Sequence, residues 1–327
     1  MSAQARGLAS TELLHNWMCP GILIDAAFSN GGADEGRVLS AIREIACDDF
    51  FAAVETPSVG PRKNRAEARS LLSASGLVVD YDLGATLYPA GADLSSLDRA
   101  RRDHALELVR EGIDEAYDLG AVRVSLISGP DPGEATRGKA MDALVDSIEK
   151  AYAYARGAGD LELSLKMADR EFDKRFLVGP TADGVQVARR VRDRYPKFGL
   201  ILSLAHLPML HEETRDSVRI ALPCLARVHI GNCVVRDRAH PLYGDSHPRF
   251  GIAGGAIGVP ELAKFLRELV DARYLSDEGD QVVAFEVRPT AGEDARAVIA
   301  HSKRVLRQAW KVARMKSGQV EVDLGRA

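Results

Sequence analysis

The sequence predicts a single α/β domain closed as a (β/α)8 (TIM) barrel. Two observations carry that expectation. Short apolar, β-rich runs alternate eight times with longer stretches of helical periodicity along 327 residues. The main competitor, a doubly wound open sheet, asks for a glycine-rich phosphate loop after its first strand. GGADEG (31–36) lacks the required G-x-G-x-x-G spacing. A chain of this length is enough for one such barrel, and no stretch reads as a linker between domains.

The first four expected strands are GILIDA (21–26), FFAAVE (50–55), LVVDYDL (77–83) and VRVSLIS (122–128). The second half supplies LELSLKM (161–167), GLILSLA (199–205), LARVHIG (225–231) and VVAFEV (282–287). Between them run GRVLSAIREIAC, RAEARSLLSAS, DRARRDHALELVREGIDEAYDLG and KAMDALVDSIEKAYAYARGAG, followed by TADGVQVARRVRDRY, ETRDSVRIAL and VPELAKFLRELVDA. Several helices stop at glycine, as in DLG (118–120) and ARGAG (155–159), which fits a left-handed cap residue. The closing segment, EDARAVIAHSKRVLRQAWKVARM, places Val305, Leu306, Ala309, Trp310, Val312 and Ala313 near one face, as the last barrel helix requires. Residues 1–19 read as an N-terminal extension and 316–327 as a C-terminal tail.

Composition narrows the class of function. A formal charge of −4, from 43 basic and 47 acidic residues, argues against a general nucleic-acid binder. No apolar run approaches membrane-spanning length, and the first residues lack the apolar core of a signal peptide. Cys19, Cys47, Cys224 and Cys233 show neither metal-ligand nor disulfide-framework spacing, which suits a reducing cytoplasm. The expected partner is a small-molecule substrate, with no nucleic acid and no membrane.

In such a barrel the reacting groups stand at the C-terminal ends of the strands. That rule selects Asp25, Glu55, Asp80, Asp82, Ser125, Ser128, Lys166, Ser203, His206, His229, Glu286 and Arg288. Each has an ordinary alternative, such as capping a turn or bonding loop amides. Asp80 and Asp82 alternate on one strand, so both face the interior or both face the helices. Lys166 is the stronger signal, because an ammonium inside LELSLKM needs a carboxylate or a chemical task to offset its desolvation. The loop RDRAHPLYGDSHPRFGIAGG (236–255) adds His240, Tyr243, Asp245, His247 and Arg249 beside the strand that carries His229.

The stretches LKMADREFDKRFLVGP, FGLILSLAHLPML, VHIGNCVVRDRAHPLYGDSHPRFGIAGG and FEVRP resemble the xylose-isomerase-like superfamily, the sugar phosphate isomerase/epimerase group. The resemblance is specific across residues 160–290 and vaguer before. It implies a site for one Mn²⁺, Mg²⁺ or Co²⁺ held by Glu, Asp, His and Glu from strands five to eight, with the two glutamates shuttling a proton at carbon. Position by position, His229 matches the histidine ligand, Glu286 the last glutamate, and His206 a histidine that contacts substrate oxygen. Lys166 stands in place of the strand-five glutamate and Ser203 in place of the strand-six aspartate. Two anionic ligands are thereby exchanged, so no cofactor is expected; a bound Mn²⁺ or Mg²⁺ would have only His229 and Glu286. The resemblance also makes a homo-oligomer a reasonable expectation.

Three readings follow. The first is an isomerase/epimerase-type enzyme of carbohydrate metabolism acting on a sugar-like or hydroxy-carbonyl molecule. Its metal-independent site would use Lys166, Glu286, His229 and His206 in catalysis, with Ser203, Glu55, Asp245, His247, Arg288 and His240 binding substrate. The second is a lyase, either a Schiff-base aldolase built on a neutral Lys166 or a C-glycoside-cleaving enzyme. The third is a non-catalytic relative, a ligand-binding protein or subunit whose catalytic site has been lost and whose barrel now binds a ligand or partner.

Overall fold

The structure, a computed structural model, describes residues 14–29 and 35–315. Eight parallel strands close in sequence order, β1 Cys19–Leu23, β2 Ala53–Thr56, β3 Val78–Asp82, β4 Arg123–Leu126, β5 Glu162–Lys166, β6 Gly199–Ser203, β7 Leu225–Ile230 and β8 Val282–Phe285, with β8 pairing back onto β1. Parallel strands need a crossover, and each is covered outside by a helix. These helices are Glu35–Ala46, Arg62–Ser75, Arg99–Leu119, Glu134–Ala158, Thr181–Arg192, Thr214–Ala221, Val259–Asp271 and Ala295–Ala313. The expected barrel is what the chain forms. The expected first strand runs two residues further toward its N-terminus and ends at Leu23, where Ile24–Ala27 turns into a short helix. The phosphate-loop candidate GGADEG falls largely outside the described residues, as do residues 1–13 and the tail 316–327. Residues 14–18, assigned to the N-terminal extension, pack onto the fold: Leu14 and Met18 are fully buried.

Apolar side chains on the outer faces of the strands, such as Val54, Val124, Leu163, Leu202 and Val228, meet the inner faces of the helices in one continuous core. Of the closing helix, Val305, Leu306, Ala309, Trp310 and Ala313 are buried as its pattern predicts, while Val312 is only partly covered. The barrel interior is divided. Leu23, Ala53, Val282 and Ala284 form a small apolar cluster where β8, β1 and β2 meet. Across the barrel the filling is ionic. Arg227 on β7 donates from Nε to Asp80 Oδ2 at 2.6 Å and from Nη2 to Asp80 Oδ1 at 3.2 Å, and Arg123 on β4 pairs with Glu162 on β5. All four cysteines are free thiols, and no helix of the described residues is long and apolar enough to cross a membrane.

Candidate active site

Above these ion pairs, the C-terminal strand ends open into a cavity of about 380 Å³. Lys166, Glu286, His206, Asp245, His247 and Arg288 line it, together with Asp25 and Asp82. The period-2 alternation of β5 and β8 sets the first two: Leu165 and Phe285 go to the core, so Lys166 and Glu286 turn inward. Lys166 Nζ donates to Glu286 Oε1, and Ser203 Oγ donates to Glu286 Oε2 at 3.0 Å. Burial works against charge on Lys166, but Glu286, Asp82 and Glu55 outweigh it and hold the amine protonated beyond an ordinary lysine. Burial alone would raise the Glu286 carboxyl. His247, Lys166 and His229 instead hold it well below the usual carboxylate range.

His229 and Glu55 lie beneath this pair, buried and outside the cavity lining. His229 Nε2 is 2.8 Å from Glu55 Oε2, and its Nδ1 is 3.6 Å from Glu286 Oε2. Burial opposes protonation of this ring, yet Glu55 and Glu286 raise its pKa to about 9, so it stands as an imidazolium between two carboxylates. Ser125 Oγ donates to Glu55 Oε1 at 2.8 Å. The structure therefore places Glu55, Ser203 and His229 as a floor that orients Glu286, below the lining rather than in it.

The opposite wall comes from the loop after β7. Asn232 ties that loop down at its base: its Oδ1 accepts from Cys233 and Ile257 N–H, and its Nδ2 donates to the Arg249 carbonyl. Gly231 permits the approach, since a Cβ there would sit 2.4 Å from the Glu286 carbonyl oxygen and 3.2 Å from His247 Nδ1. His247 occupies a left-handed conformation with φ of 48°, uncommon for a residue with a side chain. The turn brings its Nε2 to 2.8 Å from Asp245 Oδ1 and 3.4 Å from Glu286 Oε1. Burial would raise Asp245, but His247 and His206 hold its carboxyl below the ordinary range. His206, 2 % exposed, has neither ring nitrogen hydrogen-bonded among the described residues. Burial pushes its pKa down to about 4 despite Asp245 and Glu286, which leaves a neutral imidazole beside the cavity.

Not every expected group arrives. His240 lies outside the lining, because a turn within its own loop folds it back: its Nδ1 accepts from Leu242 N–H and its carbonyl from Tyr243 N–H. Arg249 pairs with Glu293 and Tyr243 packs at a tilt against Phe172, while Ser128 Oγ accepts from Val178 N–H. Asp80 is taken up by Arg227 below, so the two acids of β3 face inward but serve different depths. Arg288 does line the cavity, bridged to Asp25 at 2.8 Å. Several lining residues were not singled out in advance. Lys174 sits 4.2 Å from the Tyr88 ring centroid and 3.5 Å from Asp245, and Phe176 meets Tyr88 edge to face. Asp169 builds that corner by accepting N–H bonds from Phe172, Asp173 and Lys174. The carboxylate three residues after the β5 end, followed by REFDK, was the available signal.

The description "Xylose isomerase-like TIM barrel" matches residues 39–309, most of the barrel. The chain belongs to that family. No curated protein matches the sequence significantly. Among solved structures, it is similar to an L-ribulose 3-epimerase (18% identity, TM-score 0.69, covering 95% of this chain and 98% of that one). A D-psicose 3-epimerase with D-tagatose from Clostridium cellulolyticum H10 is 16% identical, with a TM-score of 0.63 over 91% of this chain and 98% of that one. A 3-keto-D-glucoside 4-epimerase from E. coli is also 16% identical, with a TM-score of 0.60 over 88% of this chain and 98% of that one. At these identities the likeness shows the fold.

The metal expected of a xylose isomerase-like barrel does not fit the four strand-end positions here. Lys166 fills one with a cation and Ser203 another with a neutral hydroxyl, which leaves only His229, 2.8 Å from Glu55 Oε2, and Glu286, which Lys166 already holds. The nitrogen and oxygen donors that do converge lie to one side. Ligand atoms of His206, His247 and Glu286 fall within 4.8 Å of one another, as do those of Asp169, His206 and Asp245. These residues, rather than His229, are where a divalent ion would find donors.

Proposed function

We propose that the protein is a cytoplasmic isomerase- or epimerase-type enzyme acting on a sugar-like or hydroxy-carbonyl small molecule, with Lys166 in place of a metal at the strand ends. The observation that carries this reading is the Lys166–Glu286 ion pair at the wall of an open cavity in a xylose isomerase-like barrel. The three similar structures are sugar 3- and 4-epimerases, which supports a substrate of that class.

Loss of a proton next to a carbonyl leaves negative charge on oxygen, and a fixed cation aimed at that oxygen lowers the barrier. Lys166 supplies such a cation, fastened by Glu286 and therefore already oriented. His206, with free ring nitrogens, holds a substrate hydroxyl, and Asp245, His247 and Arg288 shape the polar rim. Tyr88, Pro89, Phe176 and Ile127 provide an apolar wall against which C–H faces of a sugar pack. The protonated state of Lys166 disfavours a Schiff-base nucleophile, which must be neutral to attack. The open cavity disfavours a relative whose site has packed shut, while a ligand-binding relative is separated by the exchange test below.

The test is solvent exchange. Chelator-treated protein is incubated with ketopentoses, ketohexoses and 3-keto-glycosides in D2O, and NMR follows deuterium entering the carbon beside the carbonyl. Exchange and interconversion at a rate indifferent to the chelator are expected. No exchange with any substrate, cleavage products only, or exchange that demands added metal would overturn the reading.

A further inference from the structure

With a cation at the strand-five position and Glu286 fastened, the proposed chemistry still needs a group that takes up and returns a proton. The carboxylates around the cavity separate sharply on this point. Glu286 is held by Lys166, Asp245 lies against His247 and Lys174, Asp25 is bridged to Arg288, and Glu55 below meets His229. Among the described residues, Asp82 alone of these acids makes no ion pair. It stands at the end of β3, lining the cavity.

Its surroundings suit a carboxyl that changes protonation. The one hydroxyl hydrogen of Ser125 goes to Glu55 at 2.8 Å; its oxygen, 3.3 Å from Asp82 Oδ1, is left to accept from a protonated Asp82. Gly84 keeps the space clear, for a Cβ there would meet Asp82 Oδ1 at 2.9 Å. Lys166 lines the same cavity and supplies the electrophilic cation.

We infer that Asp82 is the catalytic acid–base of this site, a role resting on the isomerase/epimerase reading above. Its carboxylate takes the proton from the carbon beside the substrate carbonyl. The C–H electron pair becomes the C=C bond of an enediolate, and the carbonyl pair moves onto oxygen facing the Lys166 ammonium. Asp82, now a carboxylic acid, returns the proton from the same face: to the same carbon, which is read as solvent exchange, or to the neighbouring carbon, which with a proton passing between the two oxygens completes an isomerisation. Epimerisation shares the enolisation and takes its second proton from the opposite face. Burial, then Glu55, push the Asp82 carboxyl up to about 6, with Asp25 adding to the rise and Lys166 and His229 opposing it, so the group exchanges protons near neutrality.

Asp82→Asn and Asp82→Glu are compared with wild type in the same deuterium-exchange assay, with circular dichroism as the check on folding. The expected result for Asp82→Asn is an exchange rate lower by about 10²–10⁴-fold with KM little changed, and partial recovery in Asp82→Glu. Exchange by Asp82→Asn at the wild-type rate overturns the assignment and leaves the sugar reading intact. A wild type that exchanges with no substrate overturns the sugar reading first. Carbon-13 NMR of labelled aspartate provides a readout without substrate: one carboxyl titrating near pH 6 and missing from Asp82→Asn is expected. Its absence from wild type counts against Asp82 whatever the activity.

Discussion

The two ends of this barrel are both filled with buried charge, and they use it differently. In the lower part, Asp80 receives both arms of the Arg227 guanidinium and Glu162 is held by Arg123 and Lys197. Every acid there has a cation whose protonation is fixed at any ordinary pH. At the upper end the acids and bases do not cancel. Asp82 and His206 are left without charged hydrogen-bond partners, and Lys166 faces several carboxylates at once. Buried charge is therefore no mark of a site by itself. Incomplete pairing beside an open cavity is the informative feature, because an unfastened group is free to bind or to exchange a proton.

The contrast is strongest where a single substitution unbalances the lower end. Arg227→Met strands the Asp80 carboxylate, and a loss of about 3–5 kcal/mol in unfolding free energy is expected by denaturant titration. Adding Asp80→Leu should recover most of that loss and leave turnover of the folded protein intact. A double variant as unstable as the single one would mean that the lower pair matters for more than its charge.

At the upper end the loss should appear in catalysis. Lys166→Met removes the fixed cation, and kcat should fall about 10²–10³-fold while the fold survives. A variant that keeps wild-type turnover would break the division between the two ends. His206→Ala should act more gently, raising KM by about tenfold as one hydrogen bond to substrate is lost, with kcat less affected.

The smallest effect concerns Asp82 and pH. Its carboxyl rises from 3.8 to about 6 on folding, so its charge is unfavourable to the folded state. Below pH 3.8 the group is protonated in both states and costs nothing; the cost grows with pH and is complete above about 6. Asp82→Asn should accordingly melt a few degrees above wild type at pH 8, with the gap closing toward pH 4. A gap that persists at pH 4 would point to packing rather than charge.

Much of this was legible in the chain because strand ends obey a short-range rule. Alternation in LELSLKM and VVAFEV is enough to turn Lys166 and Glu286 inward, and both line the cavity. His240 and His247 show where that logic stops. They share one loop, yet only His247 enters, because Asn232, Gly231 and a left-handed backbone decide its direction through contacts distant in sequence. Lys174 and Phe176 were invisible for a similar reason: they reach the cavity through the turn organised by Asp169 and through pairing of Asp245 N–H with Asp173. Alternation likewise put Asp80 and Asp82 on one face, but only the partner strand β7, with Arg227, tells them apart.

The left-handed backbone at His247 has an evolutionary consequence. Glycine adopts φ near 48° without steric penalty, so a drift to glycine would relax this turn while deleting an imidazole from the cavity wall. Selection for robustness alone would erase the residue; selection for what the cavity does would keep it. Position 247 is thus a gauge of which pressure a lineage is under, readable from one codon.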